Sequence, residues 1–212
     1  MPDAALPQLV LSPTNSPSKS TVVEPDKIIC PICEDLVDEE LLQTFSKGLK
    51  MDVARQAKFC RLHKKKSAEQ IWEAKGYPNI EWSELKGRIE RHHDHIKSLI
   101  AGKASETHFG SLLMEKIKSG QNRTLLKTDD YLSPGYYGLR GMSLMTETIV
   151  EMFSALLRKR APQDKLISAR GYSGFVQAVL VPELAVMLIQ EDMSLSAEKA
   201  RGVMQDSRAV GE

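Results

Sequence analysis

The stretch Phe175-Val176-Gln177-Ala178-Val179-Leu180-Val181-Pro182-Glu183-Leu184-Ala185-Val186-Met187-Leu188-Ile189 decides the fold. Phe175, Val176, Val179, Leu180, Leu184, Met187, Leu188 and Ile189 cover most sides of a helix, and Ser173 can cap it after a break at Gly171 to Gly174. A helix apolar on most sides has to lie at the centre of its domain, with other helices around it. Pro182 lacks an amide hydrogen and clashes with the preceding turn, so a kink, or a restart with Pro182 in the first turn, is expected there. Gln177, Pro182 and Glu183 interrupt the run, which reads as too short and too broken to span a bilayer. The expectation is a soluble protein with no membrane partner.

Outward from this stretch the signals stay helical. A broad apolar face of Leu144, Ile149, Met152, Phe153, Leu156 and Leu157 predicts a helix from about Met142 to Arg158, and Ser196 caps a last helix over Ala197 to Ser207. Upstream, Ser105 caps a helix through Lys118 that bears Phe109, Leu112, Leu113 and Ile117. Ser83 caps another through Ala101, with the stripe Leu85, Ile89, His92, Ile96 and Leu99. Leu41, Leu42, Phe45, Leu49 and Val53 predict a helix from Asp38 to about Ala57, its acidic start favoured by the helix dipole. Lys165 to Ala169 reads as a short extended piece. Lys127 to Gly141 holds Tyr131, Tyr136 and Tyr137 with Gly135, Gly138 and Gly141, and reads as an ordered aromatic loop. No strand precedes these glycines, so they are not a dinucleotide fingerprint.

The cysteines supply the chemistry. Cys30-Pro31-Ile32-Cys33 is followed, after 26 residues (34–59, the last of them Phe59), by Cys60-Arg61-Leu62-His63, and the chain's three cysteines all fall in this pattern. Each pair leaves two residues between its members, so a tight turn can aim both side chains at one ion. Three thiolates and an imidazole make the closed tetrahedral set that zinc prefers. The alternatives are ordinary buried cysteines beside a surface histidine, or a Cys30–Cys33 disulfide that would leave Cys60 odd; the paired spacing favours metal. Zn2+ is the expected cofactor, held by Cys30, Cys33, Cys60 and His63 in a mainly structural role.

Charge is local. The 212 residues carry a net charge of +1, without the global basic bias of a typical nucleic-acid-binding protein. Arg55, Lys58, Arg61, Lys64, Lys65 and Lys66 nevertheless form a strip with no acidic residue among them. The strip is a candidate for DNA or RNA phosphates, set against a solvated face or one neutralised by Glu34, Asp35, Asp38, Glu39 and Glu40. His92, His93 and His95 do not converge on a helix and predict no second metal site. Arg140 is expected to lock its loop internally, against Asp129, Asp130 or Glu183, rather than to present itself to an anion. No nucleophile and base arrangement emerges, so no enzyme and no small-molecule substrate are expected.

Three motifs occur together: the cysteine–histidine pairs, Pro134 to Gly141, and Phe175 to Ala185 continuing to Glu191-Asp192-Met193. With them, residues 27–212 resemble the fungal restriction of telomere capping protein 4 family and its C-terminal domain. The resemblance implies a genetic connection with telomere capping, location in nucleus and cytoplasm, and no assigned enzymatic activity. The Pro/Ser-rich leader over 1–26, with Ser12-Pro13 and Ser16-Pro17 as candidate phosphorylation steps, reads as disordered and looks short for the family. The expected organisation is that leader, a zinc-knuckle module with amphipathic helices over 27–126, and a helical domain over 127–212. The expected fold is mainly α, the zinc-tied module packed on the C-terminal domain, with few or no strands. The expected function is that of a non-enzymatic, zinc-binding interaction or adaptor protein, its protein partner unknown. Nucleic-acid binding through the basic strip is the alternative.

Overall fold

The computed structural model of the protein describes residues 27–120 and 133–211. The leader, and the segment holding Asp129, Asp130 and Tyr131, lie outside the described residues. By their contacts the residues form two compact units, one up to His63 and one from Lys64 onward.

The first unit opens with an antiparallel hairpin of β1 (Lys27–Ile29) and β2 (Leu36–Asp38), in which Ile28 faces Val37 and Ile29 faces Leu36. Helix α1 (Glu39–Ser46) follows, and Asp38 caps it by accepting from the Glu40 amide at 2.8 Å. The predicted helix from Asp38 to Ala57 is divided. Lys47 (φ 54°) and Gly48 (φ 71°) take the left-handed conformation that ends a helix, and Asp52 starts the next one by accepting from the Arg55 amide at 2.7 Å. Helix α2 (Val53–Lys75) then runs from the first unit into the second. The first unit's core is small: Cys30, Val37, Phe59 and Cys60, with Leu41, Leu42, Phe45 and Met51 packed against them.

The second unit is entirely helical among its described residues. Helices α3 (Trp82–Arg91) and α4 (His93–Ile100) replace the single predicted helix, and Glu81, not Ser83, stands at the cap position of α3. The break at His92 leaves Leu85, Ile89, Ile96 and Leu99 all buried, so the stripe crosses it intact. A short 3-10 turn (Lys103–Glu106) leads to α5 (His108–Lys118), capped by Thr107 rather than Ser105. The aromatic loop is a 3-10 turn (Gly135–Tyr137) that feeds directly into α6 (Gly138–Arg160), so α6 begins before Met142.

The piece Lys165 to Ala169 is not extended. Asp164 accepts from the amides of Leu166 (2.8 Å) and Ile167 (3.3 Å) and thereby starts helix α7 (Lys165–Phe175). At Gly171 (φ 73°, ψ 164°) the chain leaves helical geometry for one residue. A π turn (Val176–Leu180) joins α7 to α8 (Val181–Met193), and the Val181 amide bonds to the Val176 carbonyl five residues back. The wider turn makes room for Pro182, which stands in the first turn of α8 and would otherwise press on the carbonyl four residues earlier. Helices α9 (Ala197–Asp206), capped by Ser196, and α10 (Arg208–Gly211) close the chain.

Phe175, Val176, Val179, Leu180, Val181, Leu188 and Ile189 are fully buried, and α5, α6 and α9 pack around them. Lys165–Met193 forms 29 residues of near-continuous helix, long and apolar enough on length and composition to cross a bilayer, which corrects the sequence reading of the run as too short and broken. Most of its apolar window is buried inside the protein, as befits a core helix.

Candidate metal centre

Each half of the candidate centre is positioned by different physics. In the hairpin, the Cys30 amide bonds to the Asp35 carbonyl at 2.9 Å and the Glu34 amide to the Cys30 carbonyl at 3.0 Å. Glu34 takes φ 62° to close this turn. The turn brings Cys33 back beside Cys30. The second pair is not a knuckle of its own: Cys60 and His63 stand three residues apart within α2 and therefore share one face. That face is turned inward, and Cys30, Cys60 and His63 are all buried. Phe59, fully buried, holds the His63 ring at a centroid distance of 5.4 Å and packs on Phe45 at 5.5 Å.

The four donor atoms lie within 4.8 Å of one another, with Cys33 Sγ 3.3 Å from His63 Nε2. Tetrahedral zinc at its usual bond lengths places donors about 3.5–3.8 Å apart, so small rotamer adjustments suffice. The electrostatics also fit a cation. Burial pushes the Cys33 thiol up to about 12, and the neighbouring Cys30 and Cys60 sulfurs add to this. Burial opposes ionisation of Cys30 too, yet the backbone amides of Cys33 and Ile32 aim at its sulfur and hold it below the ordinary thiol value. Thiols crowded this closely cannot all ionise unless a positive ion shares the space. The group can hold a metal ion, and a metal held here would have all four positions filled by protein, leaving none for a reacting water.

The basic strip separates into two parts. Arg55 turns inward: its guanidinium lies 6.0 Å from the Phe45 ring centre and donates to the Phe45 carbonyl at 3.4 Å. Lys58, Arg61, Lys64, Lys65 and Lys66 are exposed on α2, where Lys65 also pairs with Glu69 at 3.7 Å. Arg140 does not meet Glu183. Its guanidinium stacks over Trp82 at 4.3 Å, while Glu183 accepts from the Phe109 amide at the positive start of α5. The three histidines go separate ways, His92 to Glu191, His93 to Asp94 and Phe153, and His95 to solvent.

A polar cluster escaped the sequence reading. Arg88 reaches Asp192 Oδ1 at 2.7 Å and Glu191 Oε2 at 3.0 Å, and donates to the Leu188 carbonyl and to the Tyr137 hydroxyl. Tyr136 and Tyr137 both donate to Asp192 Oδ2, Tyr136 at 2.7 Å. His92 Nε2 lies 2.9 Å from Glu191 at ion-pair distance without hydrogen-bond alignment. The signal was available in two acids closing the most apolar helix, since such acids need a cation or donors nearby. The cluster fastens α3, the tyrosine turn and the end of α8 to one another.

Fold and site together define a mainly α-helical protein with a Cys3His group able to hold a metal ion. Residues 102–212, just over half of the chain, match the RTC4-like domain, and the chain belongs to that family. Among curated proteins and among solved structures nothing matches.

Proposed function

We propose that this is a non-enzymatic, zinc-binding interaction protein of nucleus and cytoplasm, acting as an adaptor in processes linked to telomere capping. The observation that carries the reading is the convergence of Cys30, Cys33, Cys60 and His63 into one buried donor set. Such a set builds a rigid surface and offers no open position for chemistry. Zinc is the metal of choice because three thiolates and an imidazole suit it in geometry and softness. The telomere link and the locations come from the family resemblance described above. Elemental analysis of protein purified without a metal-binding tag should give one zinc per chain, and Cys60→Ser or His63→Ala should lose it. Full occupancy in both variants would overturn the assignment. Partners that co-purify with the intact chain after nuclease treatment are the expected mark of an adaptor.

A second reading rests on α2. Lys58, Arg61 and Lys65 follow one another at helical spacing on the side away from buried Cys60 and His63, a stripe suited to tracking phosphates. If it binds nucleic acid, Lys58, Arg61 and Lys65 changed to Glu should weaken binding across sequences and flatten its salt dependence. Unaltered affinity in the folded variant removes the stripe from consideration.

A further inference from the structure

The hairpin has two faces of unequal fate. Ile28 and Val37 turn inward to the small core, whereas their neighbours Ile29 and Leu36, paired across the strands, stand outward at 60% and 65% exposure. Ile32, at the tip of the knuckle, is 47% exposed. Water-facing positions on a two-stranded hairpin ordinarily carry polar residues, and this cross-strand aliphatic pair, with exposed Ile32 in the adjoining turn, is costly to leave in water. The hydrogen-bonded turn at Cys30 and Glu34 holds that face in one shape, so a partner would meet a preformed surface.

The rim gives the partner's chemistry. From Lys27 to Glu40 the chain has five acidic residues, Glu34, Asp35, Asp38, Glu39 and Glu40, against one basic residue, Lys27, which pairs with Asp38 across the strands. Glu34 and Asp35, both exposed, lie between Ile32 and Leu36 in the chain, and exposed Asp38 is two residues beyond Leu36 on the same strand face. A zinc ion held by three thiolates and a neutral imidazole would add one further net negative charge at the adjoining cysteine turn. Phosphates would be repelled here, and so would the same face of a second copy. Resting on the interaction-protein reading, we propose that Ile29, Leu36 and Ile32 form a docking face for a protein segment that carries apolar side chains flanked by Lys and Arg.

The test uses the full chain loaded with zinc and a random peptide library displayed on phage. Enriched peptides are expected to combine Leu, Ile or Val with Lys or Arg. Ile29→Thr and Leu36→Thr, which put a strand-favouring β-branched residue at each outward position, should each weaken their binding about tenfold while metal content stays the same. Glu34→Lys with Asp35→Lys should weaken it again and admit acidic peptides. Peptides that bind these variants undiminished would overturn this face as the docking site while leaving the adaptor reading intact. Peptides without basic character would overturn the proposed partner chemistry. Concentration-dependent self-association abolished by Leu36→Thr would overturn it too, by assigning the face to a second copy. Failure of the adaptor reading itself would show elsewhere, in cellular partners that all vanish on nuclease treatment.

Discussion

A methyl group at position 138 would lie 1.9 Å from the carbonyl oxygen of Gly211, and the backbone there has φ +58°. Both the space and the conformation therefore demand glycine. Gly138→Ala is expected to cost about 1–3 kcal/mol, read as a lower urea midpoint, because strain and displacement of α10 add. Gly202 makes the contrast: it sits within α9 with nothing within 4 Å, so Gly202→Ala should stabilise by about 0.5–1 kcal/mol. The neighbouring tyrosines yield a pH prediction. Burial, followed by the hydrogen bonds to Asp192, keeps the Tyr136 and Tyr137 hydroxyls protonated well above the ordinary value of 10.0. Their contribution is fully present below that value. Above it the unfolded tyrosines lose protons that the native ones keep, so stability falls as pH rises toward the native values. Urea midpoints at about pH 8 and about pH 11 should show this fall, and Tyr136→Phe should make it shallower. An identical pH dependence in the variant would separate the tyrosine from the effect.

At the level of the element, the apolar helices were the legible part. The Ser196 cap of α9, the buried course of α8 and a kink or restart at Pro182 could all be read because their signals are local. The divisions between helices were less legible. Gly48 and Asp52 are ordinary stop and start residues, but Leu49 and Val53 continued the apolar spacing across them and are in fact exposed, so the periodicity outweighed the caps. At α7 the short Leu166-Ile167 run suited either strand or helix, and the side chain of Asp164 decided it. That Cys30, Cys33, Cys60 and His63 form one group able to hold a metal ion was legible in their spacing. Their delivery was not: that Cys60 and His63 project from one helix depends on where α2 begins. Arg88 was invisible, because its partners on α8 lie about a hundred residues away in the chain and Tyr137 lies 49 away. It is 15% exposed and Asp192 12%. Arg88→Met should therefore cost roughly 2–4 kcal/mol, somewhat below the loss from breaking a fully buried pair, since it strands Asp192 without its cation. Paired with Asp192→Asn, the same substitution should cost less than the two changes summed, as a double-mutant cycle in urea would show. Additive costs would mean that the two side chains are energetically independent.

For the whole molecule, the two units differ in what holds them. The second has a broad core with α8 at its middle, while the first buries few large side chains besides Phe59 and Val37. A strong chelator at neutral pH should therefore raise amide exchange across residues 28–63 and leave α5 to α9 protected. Uniform protection before and after chelation would show that metal does not hold the first unit. The join between α7 and α8 has a different consequence, one of chain length. A π turn is equivalent to an α-helix carrying one inserted residue, so the segment Val176–Leu180 can in principle give one back. Removing Ala178, together with Pro182→Ala to spare the tightened turn, should leave the apolar sides of α7 and α8 pointing as they do now and preserve a single cooperative melt. Removing Val186 instead would rotate everything between it and Met193 by about 100° and turn buried side chains toward water. The most tightly enclosed helix of this protein thus contains its own slack, at the turn that seats Pro182.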